Sequence, residues 1–150
     1  MESKKEITKN LLANSFKKLI LDIPFKNITI KMITDKSKVI RPTFYHHFKD
    51  KYEVLEYIVD EDIMKNIYEM VDSDMEYESL KIIFIRLEKN REFIKKAFKV
   101  EGQNSFKEIL GYKIYNIFIR IIDKHELNEL YYSNVLTKEN MARYYTNGFV

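Results

Sequence analysis

The sequence predicts an all-α protein, and three observations carry that expectation. Its 150 residues include only three Gly and two Pro, too few for the turns that many short strands would need. Apolar residues recur about every 3.6 positions, not in alternation. Helix-entry signals, a hydroxyl or carboxylate residue just before a periodic run, stand at Thr29, at Asp50 with Glu53 and at Ser105 with Glu108. Core material is ample. Hydrophobic residues make up 45% of the chain, with 11 Tyr and 10 Phe, which argues against disorder.

Over residues 6–21, Ile7, Leu11, Leu12, Phe16, Leu19 and Ile20 form one stripe, with Lys5, Lys9, Lys17 and Lys18 mostly off it, so a first amphipathic helix is expected. Pro24 ends it, since proline cannot continue a helix and biases Ile23 away from helical backbone. Thr29 caps a short second helix, residues 30–37, with Ile30 and Ile33 facing inward. Only Lys38, Val39 and Ile40 separate this from a third segment, residues 41–48, where Phe44 and Phe48 stand one turn apart. Two short helices joined by a three-residue turn make a helix-turn-helix. A fourth helix, opened by Asp50 and Glu53, carries Val54, Leu55, Ile58 and Ile63 to about Met70. Helical patterns continue over about 79–89, 91–100, 106–124 and from 138 onward. The run from Ile109 to Ile122 is the longest apolar face in the chain.

The expected organisation is a helix-turn-helix domain over residues 1–50 and a helical regulatory and dimerisation bundle over 51–150. The last helix is still in progress at Val150, so the fold is expected to lack its final helix or helices. Charge is divided in the same way. Residues 1–51 carry a net +7 and residues 52–150 a net −4, so one end suits a polyanion and the other does not. With no cysteine, disulfides, thiolate metal sites and cysteine nucleophiles are excluded. No uninterrupted apolar segment reads as a signal peptide or membrane span, and a soluble cytoplasmic protein is expected. No nucleophile-base pair or metal-ligand spacing appears, so no catalytic residue, metal or cofactor is assigned and an enzyme is not expected.

The informative stretch runs from Arg41 to Lys51. If Phe44 and Phe48 are buried, Arg41, Thr43, Tyr45, His46 and His47 turn outward. These side chain types read groove edges and hold phosphates. The alternative is that Tyr45 packs on the first helix and the histidines are surface-neutral. His46 and His47 beside Asp50 suggest an ion site only superficially, because adjacent helical positions point about 100° apart. His125 reads as a cation placed at a helix C-terminus.

Thr29 and Ile33, then Val39, then Thr43-Phe44-Tyr45, His47-Phe48, Lys51 and Leu55 resemble the N-terminal signature of the TetR family. The stretch from Thr43 to Leu55 is further similar to the branch typified by the dihydroxyacetone-kinase operon regulator. The resemblance covers about residues 6–60. It implies a dimeric transcription regulator that binds double-stranded operator DNA and answers to a small-molecule effector. It also implies that Thr43, Tyr45 and His46 meet bases or nearby phosphates, that Thr29 and His47 flank them, and that Lys51 meets phosphate from the start of the fourth helix. Arg41, Pro42 and Lys49 complete the DNA-facing set. Two positions depart from the family pattern. Lys38 stands where Gly is usual and must take a left-handed backbone, and Ile40 stands where a capping Ser or Thr is usual. Both leave room for another reading, a helical interaction protein of the same architecture that has lost DNA binding. In the C-terminal bundle the family implies an effector pocket, for which Phe84, Phe98, Tyr112, Tyr115 and Phe118 are candidates, although such aromatics serve equally as plain core. Dimerisation is expected through residues 138–150, with Met141, Tyr144, Tyr145 and Phe149, with residues 106–124 as a further contributor, and to be weaker than in a full-length relative.

Overall fold

A computed structural model describes residues 3–125 and 137–149, so the expectation about Val150 lies outside the described residues. The elements are α1 (Lys4–Asp22), a 3-10 turn (Phe25–Asn27), α2 (Ile30–Ser37), α3 (Arg41–His47), α4 (Lys51–Val59), a π-turn (Asp60–Met64), α5 (Ile67–Asp72), α6 (Glu76–Lys89), α7 (Arg91–Ala97), α8 (Phe106–Lys124) and α9 (Lys138–Phe149). The described residues contain no strand. The fold is all-α, as the sequence predicts, and its first three helices form the expected helix-turn-helix unit.

Local chemistry explains each boundary. Ser3 opens α1 with a full capping box, its Oγ accepting from Glu6 N at 3.2 Å while Glu6 Oε2 accepts from Ser3 N at 2.9 Å. Leu12, Phe16 and Ile20 are buried, but Ile7 and Leu11 are 52% and 44% exposed, so the packed stripe of α1 is narrower than its apolar pattern. Asp50 caps α4 by accepting from Tyr52 N and Glu53 N. The returning Glu53 carboxylate accepts from Lys49 N, one residue upstream of the cap. Ser105 and Glu108 repeat this offset at α8, where Glu108 Oε2 accepts from Asn104 N. Helix α6 begins at Glu76 and not near Ser79, because Ser79 is fully buried inside the helix with its hydroxyl donating to Glu76 O.

The fourth helix does not run unbroken to Met70. It widens into the π-turn, and Lys65 (ψ 125°) and Asn66 (φ 62°) then leave helical backbone before α5 resumes. A π-turn inserts a residue and re-phases the helix beyond it, which keeps Ile63, Met64, Ile67 and Val71 all buried. The carbonyls freed at the break are not orphaned. Arg86, reaching from α6, donates Nη1 to Ile63 O at 2.8 Å and to Lys65 O at 2.7 Å.

One hydrophobic cluster extends from Leu12 of α1 to Ile117 of α8. Helix α4 packs against α1 on one side and α8 on the other, so the core passes through residue 50 without interruption. Ion pairs fasten the same seam: Lys17 of α1 to Asp62, and Lys113 of α8 to Asp60 at 2.7 Å and Glu56 at 3.3 Å.

Candidate nucleic-acid interface

Helix α2 positions α3 through a tight turn whose backbone is set by Lys38, in the left-handed region at φ 57°, ψ 36°. Its N–H reaches Asp35 O, and Val39 N reaches Thr34 O, so the helix end is satisfied as a glycine would satisfy it. Lysine accepts this conformation at some energetic cost. At the other side of the turn Ile40 makes no side-chain cap and is 68% exposed. Pro42, in the first turn of α3, carries no N–H to leave unsatisfied. Thr43 N finds Ile40 O at 3.0 Å.

Burial then sorts the residues of α3. Phe44 and Phe48 are 0% and 2% exposed and lie 5.9 Å apart, anchoring the helix on the core. Arg41, Pro42, Tyr45, His46 and Lys49 are exposed, while Thr43 and His47 are half-buried. The Tyr45 ring stands edge-on to Phe44 and 53% of the residue is exposed. One turn apart, Arg41 Nη2 donates to the Tyr45 hydroxyl at 3.5 Å. Thr29 is exposed and caps α2, its Oγ1 accepting from Met32 N at 3.2 Å. The His47 ring has its Nδ1 buried without a hydrogen-bond partner. Burial first, then the positive charge of His46, Lys5 and Lys9, pushes its pKa below the usual histidine value. That influence places the start of α1 on the same side as α3, and the described residues offer no ion pair to Lys5, Lys36, Lys38, Arg41 or Lys49. The contribution of Lys5 was visible in the sequence only as part of the basic balance.

Lys51 is placed differently from what the resemblance implies. Its ammonium donates to Phe25 O at 2.7 Å, Ile28 O at 2.9 Å and Lys26 O at 3.3 Å, and lies 4.4 Å from the Phe25 ring centroid. An ammonium has three donors, and all are directed to the α1–α2 loop. Burial lowers its pKa. Lys51 fastens that loop to the start of α4 and has no donor left for phosphate.

Among the described residues, the five aromatic candidates for an effector pocket make separate contacts. Phe118 stacks on Tyr145 at 5.3 Å, the Phe84 ring lies tilted against Phe149 at 4.5 Å, and Phe98 meets Phe106 edge-on at 5.0 Å. Tyr115 is half-buried in α8, and Tyr112 opens onto a groove of about 690 Å³ beside Ser105, Gly111 and Thr146. Phe84 and Phe118 both face α9, so they belong to its packing seam. The described residues contain no group of three His, Asp or Glu able to hold a metal ion, and no helix long and apolar enough to cross a membrane.

Residues 17–58, from mid-α1 through α4, match the family described as bacterial regulatory proteins, tetR family. The HTH-type dhaKLM operon transcriptional activator DhaS of Lactococcus lactis subsp. lactis (strain IL1403) is 26% identical over 138 residues, spanning 92% of this chain and 73% of that protein. The solved structure of a dihydroxyacetone kinase operon activator, DhaS, shares the fold with a TM-score of 0.64 at 23% identity, covering 95% of this chain and 80% of that one.

Proposed function

We propose that the protein, whose residues 17–58 match the family described as bacterial regulatory proteins, tetR family, is a transcription regulator that lays α3 in the major groove of operator DNA as a homodimer. The observation that carries this reading is the division of α3 itself. Two phenylalanines hold the helix to the core, while Arg41, Tyr45, His46 and Lys49 are left exposed beside unpaired lysines. Recognition helices read base edges from the groove and cations around them hold phosphates. Tyr45, His46 and Thr43 are the base-facing side chains, with Arg41 and Lys49 on phosphate. Fluorescence anisotropy with DNA from upstream of the gene tests this. Each phosphate contact contributes a slope of about −0.9 in log affinity against log salt, so Arg41→Ala flattens the slope by about that much. Affinity that ignores salt would support a helical interaction protein without DNA binding.

Two half-sites one DNA turn apart call for a two-fold pair with recognition helices about 34 Å apart. Tyr144 and Tyr145 of α9 are 76% and 50% exposed and lie ring against ring; this aromatic pair is the centre of the proposed pairing surface. Tyr145→Asp is expected to yield a monomer by sedimentation and to weaken DNA binding without unfolding the chain. A small-molecule effector would act by shifting the spacing of the two recognition helices.

A further inference from the structure

A cleft of about 480 Å³ opens between the end of α1, the α1–α2 loop, the start of α4 and the end of α7. Its floor is apolar: Ile20, Phe25 and Val100 are buried, and Ile23 and Tyr52 are half-buried. Its rim carries Lys26, Lys96 and Lys99 against Asp22 and Glu101. These charges share one opening, yet the described residues form no ion pair among them, in contrast to Lys113, Lys124 and Lys138, each tied to a carboxylate. A volume of this size with an apolar floor and a few polar groups is what small ligands use.

We propose that this cleft is a binding site for a small organic anion with an apolar body, its head held by Lys96, Lys99 and Lys26 and its body lying on Phe25, Tyr52 and Ile23. The side chains give the rim an excess of one positive charge. The partial negative ends of α1 and α7 reduce that excess, so the apolar floor supplies much of the affinity and the lysines supply selectivity. A nucleic acid backbone fits less well, having no apolar body to cover the floor. The site lies outside the interior of the C-terminal bundle and touches both halves of the molecule. Phe25, on its floor, is the residue whose ring and carbonyl Lys51 holds, and its ring meets Tyr52 at 4.8 Å. An occupant therefore bears on the loop that leads into Thr29 and α2. Its influence on operator affinity rests on the DNA-binding function proposed for α3; the binding itself does not.

The test uses the full chain without DNA, titrated with 3-phenylpropionate and followed by amide resonances in two-dimensional NMR. Expected are saturable shifts at residues 22–26 (except Pro24) and 96–101. The Lys96→Glu, Lys99→Glu double variant is expected to bind at least tenfold more weakly with its other resonances in place, while Lys107→Glu, away from the cleft, binds as the parent does. The matched cation 3-phenylpropylamine and the alcohol 3-phenylpropanol should bind at least tenfold more weakly than the acid. Equal binding of all three compounds, shifts centred elsewhere, or no shifts would overturn the proposal. So would a double variant whose only defect is a uniform, salt-dependent loss of DNA affinity, which would give these lysines to nucleic acid.

Discussion

Lys51 and Arg41 show how two basic side chains ten residues apart take opposite work. Arg41 has one weak internal contact and faces outward, whereas Lys51 spends its three donors on loop carbonyls. Lys51→Met would leave the Phe25, Lys26 and Ile28 carbonyls without that donor, and a partly buried acceptor stripped of its partner costs about 1–3 kcal/mol. Urea denaturation should show a loss in that range, with the salt slope of DNA binding unchanged. A flattened slope at unaltered stability would instead give its ammonium to phosphate. The roles of Thr29, Phe44 and Phe48 were legible in the sequence because capping and burial depend on neighbours three or four positions away. That of Lys51 was not, because its partners lie 23 to 26 residues upstream and no local pattern records where those carbonyls come to rest.

The same distinction holds among the elements. Periodicity gave α2 and α8 with their observed limits, since a capping residue and an apolar stripe agree there. It did not give the break in the fourth helix, where Val54, Leu55, Ile58 and Ile63 read as one face continuing to about Met70. What makes the break tolerable is a guanidinium arriving from α6, 21 and 23 residues further along. Replacing that group tests the account. Arg86→Leu keeps the bulk but removes both hydrogen bonds, so amide hydrogen exchange should quicken across residues 60–72 and stability should fall by about 1–3 kcal/mol. Exchange confined to its parent rate would mean that the π-turn holds without Arg86. Gathering of Phe84, Phe98, Tyr112, Tyr115 and Phe118 also exceeded what local pattern can tell, because α9 takes up two of them.

At the scale of the whole molecule, carboxylate clasps join elements distant in sequence and make stability depend on acidity. Glu76 is held at a pKa of about 2, against an ordinary 4.5, by its own backbone N–H, then by Lys124 at the end of α8 and His125 just beyond it. In the unfolded chain it takes up a proton near its ordinary pKa; in the folded chain it does so only near 2. The contribution is thus fully present above the ordinary value and is lost as pH falls from about 4.5 toward 2. Glu76→Gln should make thermal stability less sensitive to acid across that window, and identical pH profiles would assign the sensitivity to other groups. The uninterrupted core has a different consequence, one for transplantation. Since Leu55 and Ile58 of α4 are 0% and 2% exposed and their helix is wedged between α1 and α8, a chimera spliced at residue 50 would set one parent's α1 against another's α4. A workable graft has to carry α4 along with the first three helices and bring a matching face of α8, which makes the exchangeable unit of this protein larger than its helix-turn-helix.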